Sequence, residues 1–188
     1  MEIIEHPGSI YQVNNFLTAE EIKSIYEIID SAPTDMQSWT SEQHADNPES
    51  FWVGKIHTPK EHPEFMDNIL YRIQTELINV CDTTYINYID SIQRTLPDYE
   101  PMGNHRDNEG WSEIKMGIVI YINDDYQGGE ISYPDLGLSI KPTAGMLAIH
   151  PSDIIHRVLP VSGSPRYIIT TFVNCKHDVG ICPISFKR

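Results

Sequence analysis

The chain has 188 residues, which suits one domain, and 40% hydrophobic with 21% charged residues is the composition of a globular protein rather than a disordered one. Its 13 basic and 27 acidic residues give a formal net charge of −14. That charge disfavours nucleic acid and anionic membrane surfaces as partners, because both are negatively charged. No apolar run reaches the roughly 20 residues of a membrane helix. The N-terminus lacks the basic and apolar regions of a signal peptide, so we expect a cytoplasmic location.

The three cysteines, Cys81, Cys175 and Cys182, are an odd number without C-x-x-C spacing. This pattern argues against a disulfide framework and against a zinc knuckle. It fits a reducing compartment, in agreement with a cytoplasmic location.

Residues 1–83 are predicted to be a mainly helical support region. Residues 10–16 alternate like a short strand, and Thr18-Ala19-Glu20-Glu21 has the capping-box pattern that begins a helix. This helix has one apolar face and should end before Pro33. A second helix is predicted from about Pro63 to Cys81, where apolar residues recur at 3.6-residue spacing.

Residues 34–60, between the two predicted helices, are polar and irregular. Trp39, Phe51 and Trp52 are scattered there among turn-forming residues. Such a loop is either a surface segment tucked against the domain or part of a binding-site wall.

From Thr84 onward the helical period disappears, and short runs rich in Ile, Val, Tyr and Thr are separated by turn formers. In residues 114–123 every second residue is a large aliphatic one, so these side chains share one face, which predicts a strand. Further strand candidates are 130–133, 138–141, 146–150, 156–160 and 166–173. Two helices followed by about eight short strands predict a single α+β domain, a β sandwich or barrel (84–176) with helices outside and a C-terminal tail (177–188).

His105-Arg106-Asp107 is the first sign of a metal site. On an extended chain, two residues with one between them point the same way, so His105 and Asp107 can bind one ion. His156 on another strand would complete two imidazoles and a carboxylate, which leaves positions open, as non-haem Fe(II) chemistry requires. Zinc hydrolases use the same ligand types, and H-x-D alone can be a plain loop pair at a strand end.

Several motifs follow the H-x-D in order and at short spacing. They are Tyr121-Ile122-Asn123, Gly128-Gly129-Glu130, Lys141-Pro142-x-x-Gly145-x-x-x-x-His150-Pro151 and His156-Arg157-Val158-x-Pro160-Val161-x-Gly163-x-x-Arg166-Tyr167. With these motifs, residues 93–174 resemble the Fe(II)/2-oxoglutarate-dependent dioxygenases, and within them the prolyl 4-hydroxylase-like branch. The resemblance implies a double-stranded β-helix (jelly-roll) core with the N-terminal helices packed outside.

The resemblance also implies roles for particular residues. By matching motif positions, His105, Asp107 and His156 would be the Fe(II) ligands. Cosubstrate binding is implied for three further side chains: Arg166 to the distal carboxylate of 2-oxoglutarate, Tyr121 to the same carboxylate, and Thr170, with weaker support, in the same pocket. O2 would be the second cosubstrate and ascorbate the reductant.

Arg166 and Tyr121 have other interpretations, His150 is a further candidate, and one expected tyrosine is absent. Arg166 could be an ordinary surface cation, and Tyr121 a plain core residue. His150 is a conceivable fourth ligand, but similar sequences usually have an apolar residue there, so we interpret it as a packed histidine behind the ligands. A tyrosine that commonly precedes the H-x-D by about ten residues is missing; Thr95 stands there, and the nearest phenol is Tyr99.

Three functions are therefore considered. The first is a prolyl 4-hydroxylase-like enzyme that acts on a peptide or protein and releases succinate and CO2. The second is a hydroxylase of a free amino acid or another small molecule. The third is a non-enzymatic jelly-roll binding module that has kept the metal site by descent.

Overall fold

The computed structural model describes residues 1–31, 37–38, 53–57, 63–79, 84–86, 89, 91–97, 101–175 and 185–186. Within these ranges there are two α-helices, α1 (Ala19–Ser31) and α2 (Pro63–Arg72), a π-helical turn (Ile73–Leu77) and a 3-10 turn (Pro134–Leu136). No helix in this part of the chain has both the length and the apolar character that crossing a membrane requires.

The strands of the described ranges, in chain order, are β1 (Glu2–His6), β2 (Ile10–Asn14), β3 (Gln37–Ser38), β4 (Val53–His57), β5 (Ile78–Asn79), β6 (Thr84–Ile86), β7 (Ser91–Thr95), β8 (Ile114–Tyr121), β9 (Gln127–Gly128), β10 (Ile131–Tyr133), β11 (Leu138–Ile140), β12 (Leu147–Pro151), β13 (Arg157–Val158), β14 (Val161–Ser162), β15 (Arg166–Cys175) and β16 (Ser185–Phe186).

One large antiparallel sheet organises the molecule. Among the described strands it has nine members, in the order β1-β2-β12-β8-β15-β7-β4-β3, with β6 paired to β15. Smaller sheets, β11-β10-β13 and β14-β9, complete the strand-rich half. The predicted α+β class and the jelly-roll core with helices packed outside are confirmed.

The two faces of the large sheet bury different clusters. On β8, Met116, Ile118 and Ile120 join one cluster with the buried residues of α1 and α2. The alternate residues Val119 and Tyr121 face a second cluster with β10 and β11. Because successive side chains of a strand point to opposite faces, β8 separates a helix-covered side from the interior that holds the site.

The predicted start of α1 is confirmed. The Thr18 N–H donates to Glu21 Oε2 at 2.8 Å, and the Glu21 N–H donates to Thr18 Oγ1 at 3.2 Å. Arg72, the last residue of α2, donates to the Glu21 carboxylate and to the Phe16 carbonyl. The capping box therefore also connects the two helices.

The first 83 residues contain more strand than predicted. Strands β1–β4 all belong to the large sheet, although β3 and β4 fall in the segment predicted to be irregular. The second helix ends at Arg72 rather than Cys81, and β5 then pairs with β16 of the predicted tail. The helix was predicted too long because Ile73 and Leu77 continue the apolar spacing and are buried. Buried residues at this spacing do not distinguish an α-helix from a π-helical turn.

Some predictions fall outside the described residues. These include the aromatic residues of the 34–60 loop, Trp39, Phe51 and Trp52, and the phenol of Tyr99. Cys175 is disulfide-bonded, a bond that the expected absence of a disulfide framework did not predict; Cys81 and Cys182 also lie outside the described residues. Cysteine count and spacing do not show which distant residues the fold brings together.

Candidate active site

An isolated antiparallel bridge outside the named strands brings His105 and His156 together. The backbone N–H of each donates to the carbonyl of the other at 3.0 Å. Their ring centroids are 4.2 Å apart. Backbone pairing between two distant segments therefore brings the two imidazoles close together, as the predicted metal site requires.

Both imidazole rings are oriented by the backbone. Nδ1 of His105 lies 2.8 Å from the Gly103 carbonyl, and Nδ1 of His156 lies 3.1 Å from the Ile154 carbonyl. Because a carbonyl only accepts hydrogen bonds, each Nδ1 carries a proton, and Nε2 is the ring nitrogen through which each histidine can bind a metal. These Nε2 atoms lie 3.7 and 3.5 Å from Asp107 Oδ1.

The three predicted ligands thus form a compact cluster. One ligand atom from each of His105, Asp107 and His156 lies within 4.8 Å of the others. Two imidazoles and one carboxylate suit non-haem Fe(II) and also occur in zinc sites. The donor set and the ring orientations fit the metal that the resemblance implies.

Burial and hydrogen bonding set the charge states of the cluster. Burial alone raises the pKa of Asp107, but the hydrogen bond with His150 and the nearby imidazoles hold the pKa of that carboxyl below its ordinary value. Burial, followed by the neighbouring His150, lowers the pKa of His156 to about 4. At neutral pH, Asp107 is therefore a carboxylate and His156 a neutral imidazole, the forms that bind metals.

Arg166, the first residue of β15, is only 2% exposed. Among the described residues no carboxylate forms an ion pair with it, and its Nε has no hydrogen-bond partner. A buried cation without a partner is destabilising. Arg166 is thus not a surface cation, and its surroundings fit an anionic ligand.

Two phenols accompany Arg166. The hydroxyls of Tyr121 and Tyr126 are buried close to the Arg166 guanidinium, without a hydrogen bond of full geometry to any described group. The Arg166 guanidinium carbon is 5.3 Å from the Tyr121 ring centre. Burial raises the pKa of both phenols, although the Arg166 charge opposes the shift. Both are therefore protonated donors at neutral pH, as binding of a carboxylate would require.

Sequence reasoning missed Tyr126. Gly129 makes room for it, because a Cβ there would lie 2.7 Å from Tyr126 Cε2 and 3.2 Å from Arg166 Cδ. The sequence did contain an indication of its role. Turns are mostly built from small or polar residues, so a tyrosine between Asp124-Asp125 and Gly128-Gly129 is unusual.

Thr170 lies on β15 opposite Val119 of β8. Its Oγ1 accepts a 2.6 Å hydrogen bond from Nε2 of Gln93 on β7. Gln93 was also missed as a site residue, because strand pairing between β7 and β15 cannot be read from either segment alone.

One cavity of about 320 Å³ is lined by all of these groups except Tyr126. All six predicted side chains line it, and so do Gln93, Trp111, Ile131, His150 and Ile168. The volume is in the range of small-molecule sites. With the three candidate metal ligands at one part and buried Arg166 and Tyr121 at another, the cavity fits a small dicarboxylate.

His150 is buried behind the cluster, as expected. Its Nε2 is 2.9 Å from Asp107 Oδ2, and its Nδ1 is 3.1 Å from the Tyr133 hydroxyl. The contact with Tyr133 was not predicted.

The jelly-roll core is a fold that this chain shares with solved prolyl hydroxylases and with a 2OG-Fe(II) oxygenase. The chain is similar to a prolyl hydroxylase from Trichoplax adhaerens, with a TM-score of 0.66 and 14% identity over 90% of this chain and 85% of that one. It is also similar to a Pseudomonas putida prolyl-4-hydroxylase, with a TM-score of 0.63 and 18% identity over 88% of this chain and 92% of that one. A 2OG-Fe(II) oxygenase family oxidoreductase from Burkholderia pseudomallei has a TM-score of 0.62 and 16% identity over 90% of this chain and 85% of that one. At these identities the likeness shows a common fold.

A shorter similarity is visible in sequence. A PKHD-type hydroxylase from Shewanella sp. (strain ANA-3) is 35% identical over 77 aligned positions, which cover 36% of this chain and 34% of that protein. The chain thus aligns with about a third of the length of this curated relative. No family model matches the chain. The resemblance to 2-oxoglutarate oxygenases of the prolyl hydroxylase type is confirmed by the fold and by this stretch.

Proposed function

We propose that this chain is an Fe(II)- and 2-oxoglutarate-dependent dioxygenase of the prolyl 4-hydroxylase type. It hydroxylates a peptide or protein and releases succinate and CO2. The observation that carries the proposal is the single cavity joining the His105, Asp107 and His156 cluster to buried Arg166, which has no ion-pair partner among the described residues.

Each group has a defined task in this proposal. His105, Asp107 and His156 hold Fe(II), while Arg166 and Tyr121 bind the distal carboxylate of 2-oxoglutarate. Thr170 contributes a hydroxyl to the same pocket. When bound, the metal and cosubstrate supply, with O2, the oxidising power for hydroxylation of a C–H bond, and ascorbate keeps the metal reduced.

Part of the cavity wall is apolar. Ile131 and Ile168 are buried residues of the second cluster and line the cavity. An apolar wall strengthens the attraction between Arg166 and a bound carboxylate, because fewer waters screen the two charges.

A peptide or protein substrate is favoured by Trp111. This residue lines the cavity and is 58% exposed, so its indole is available to a chain lying across the mouth. The Trichoplax prolyl hydroxylase was solved with a hypoxia inducible factor oxygen degradation domain peptide fragment. Hydroxylation of a free amino acid remains the second candidate.

Succinate release tests the proposal. The protein is incubated with Fe(II), ascorbate and 2-oxoglutarate and with either proline-containing peptides or free amino acids. We expect peptides to stimulate succinate release, with hydroxylated peptide as the second product. Stimulation by free amino acids alone would select the small-molecule hydroxylase, and no turnover under any condition would favour the binding module.

A further inference from the structure

His150 of β12 lies at the centre of a buried hydrogen-bonded chain. It is 1% exposed, and its two ring nitrogens reach Asp107 Oδ2 at 2.9 Å and the Tyr133 hydroxyl at 3.1 Å. It is not one of the three side chains whose ligand atoms all lie within 4.8 Å of one another. His150 therefore stands behind Asp107 rather than beside it as a ligand.

The direction of the two hydrogen bonds follows from the groups involved. A carboxylate can only accept, so Nε2 of His150 carries the proton and donates to Asp107. In the tautomer that donates through Nε2, Nδ1 has a lone pair, which accepts from the Tyr133 hydroxyl. Burial raises the pKa of Tyr133, so this phenol keeps its proton. Both hydrogen bonds, from Tyr133 to His150 and from His150 to Asp107, are thus donated in the direction of Asp107.

Gly117 makes the contact possible. It pairs with His150 across β8 and β12, and a Cβ at this position would lie 2.1 Å from Asp107 Oδ2 and 2.6 Å from His150 Nε2. Any side chain would therefore displace the carboxylate or the imidazole.

The contact leaves Asp107 with two differently placed oxygens. Oδ2 is held by His150, while Oδ1 lies near the Nε2 atoms of His105 and His156. We propose that His150, itself oriented by Tyr133, is a positioning residue that holds Asp107 with one oxygen towards the metal. This inference rests on the proposed metal site.

Mn(II) titration of the metal-free protein, followed by electron paramagnetic resonance of the free ion, tests the role. His150→Phe removes the donor but keeps a flat ring, and we expect the Mn(II) Kd to rise about 10- to 100-fold, as for other groups that orient metal ligands. His150→Gln places an amide donor near the same oxygen and should recover part of the loss. Tyr133→Phe should raise the Kd by about fivefold or less, as expected for one neutral hydrogen bond.

Controls distinguish the possible outcomes. His6→Phe removes an imidazole on β1, where its partner is Gln12, and should leave the Kd unchanged. If His105→Ala binds Mn(II) as well as the unaltered protein, the proposed metal site itself is wrong. If His105→Ala loses binding while folded His150→Phe retains the original Kd, only the positioning role is overturned. The positioning role is also overturned if His150→Phe and His150→Gln show the same increase in the Mn(II) Kd. A lower Tm without a change in the Kd would show that His150 only stabilises the fold.

Discussion

Asp107 is half-buried and Arg166 is buried, and the charges of the two side chains are compensated differently. Asp107 accepts a hydrogen bond from His150 and lies near two further imidazoles. Arg166 has neighbouring phenols but, in the described part of the chain, no carboxylate partner. A bound anion therefore has more to contribute at Arg166 than beside Asp107.

Removal of either histidine ligand should abolish turnover. His105→Ala and His156→Ala each leave two of the three protein ligands, while the hydrophobic clusters that hold the fold are untouched. We expect no measurable succinate release and an unchanged circular dichroism spectrum. Substantial activity in either folded variant would remove that residue from the proposed site.

Arg166→Ala should raise the KM for 2-oxoglutarate at least tenfold. Truncating one member of a desolvated ion pair costs about 2–5 kcal/mol, and about 1.4 kcal/mol corresponds to tenfold. The KM is measured by succinate release at saturating substrate. Arg166→Lys should be less impaired, and Arg157→Ala, which removes an exposed arginine, serves as the matched control. An unaltered KM in Arg166→Ala would contradict the assignment.

Tyr121→Phe separates a ligand contact from simple packing. The change removes only a hydroxyl, so the fold should be retained. Loss of a hydrogen bond to a charged acceptor costs roughly 1.5–3 kcal/mol, so the KM for 2-oxoglutarate should rise about tenfold or more. Tyr167→Phe is the control, because Tyr167 packs against Tyr26 on the helix side. Equal KM values for both variants would make Tyr121 a core residue.

At the scale of elements, β8 has two functions. Its helix-facing side contributes Met116, Ile118 and Ile120 to the packing with α1 and α2. Its other side carries Gly117, Val119 and Tyr121, which line the cavity. The site is thus built on a strand that the helices hold in place, which suits a site whose geometry must stay fixed.

The N-terminal cap of α1 should contribute measurably to stability. Thr18→Ala removes the hydroxyl that accepts from the Glu21 N–H, and loss of such a cap costs about 1 kcal/mol. Urea denaturation should show this decrease in the free energy of unfolding, with Thr18→Ser close to the original protein. If Thr18→Ala were as stable as Thr18→Ser, the cap would not contribute.

At the scale of the whole molecule, His156 links stability to pH. Its pKa falls from 6.5 to about 4 on folding, so the unfolded chain binds more protons between these pH values. The free energy of unfolding of the metal-free protein should therefore decrease as pH falls through that window, by at most about 1.4 kcal/mol per pH unit.

Urea denaturation at several pH values between 7 and about 4 measures this dependence. His156→Gln cannot take up the proton and should show a shallower slope. The pKa of Asp107 is also lowered, and it contributes in the same direction only near the acid end of this window, where an ordinary carboxyl begins to take up a proton. Parallel slopes for the two proteins would exclude His156 as the source.

Much of the site was predictable because its residues lie in short local patterns. The H-x-D spacing, the distant His156 and the following motifs predicted the ligands and Arg166, and the structure brings these residues around one cavity. The alternation of apolar residues predicted both faces of β8. Local spacing was informative here because a strand's period directly decides which side chains share a face.

Tertiary structure alone decided which distant segments meet. The pairing of β5 with β16, the entry of β1–β4 into the large sheet and the contact of Gln93 with Thr170 all join segments whose own patterns are ambiguous. By itself the sequence determined the residue types, their order and the faces of the main strands. The approach of Tyr126 to Arg166 and of His150 to Asp107 depends instead on strand order and register, because these set long-range distances that no local period contains.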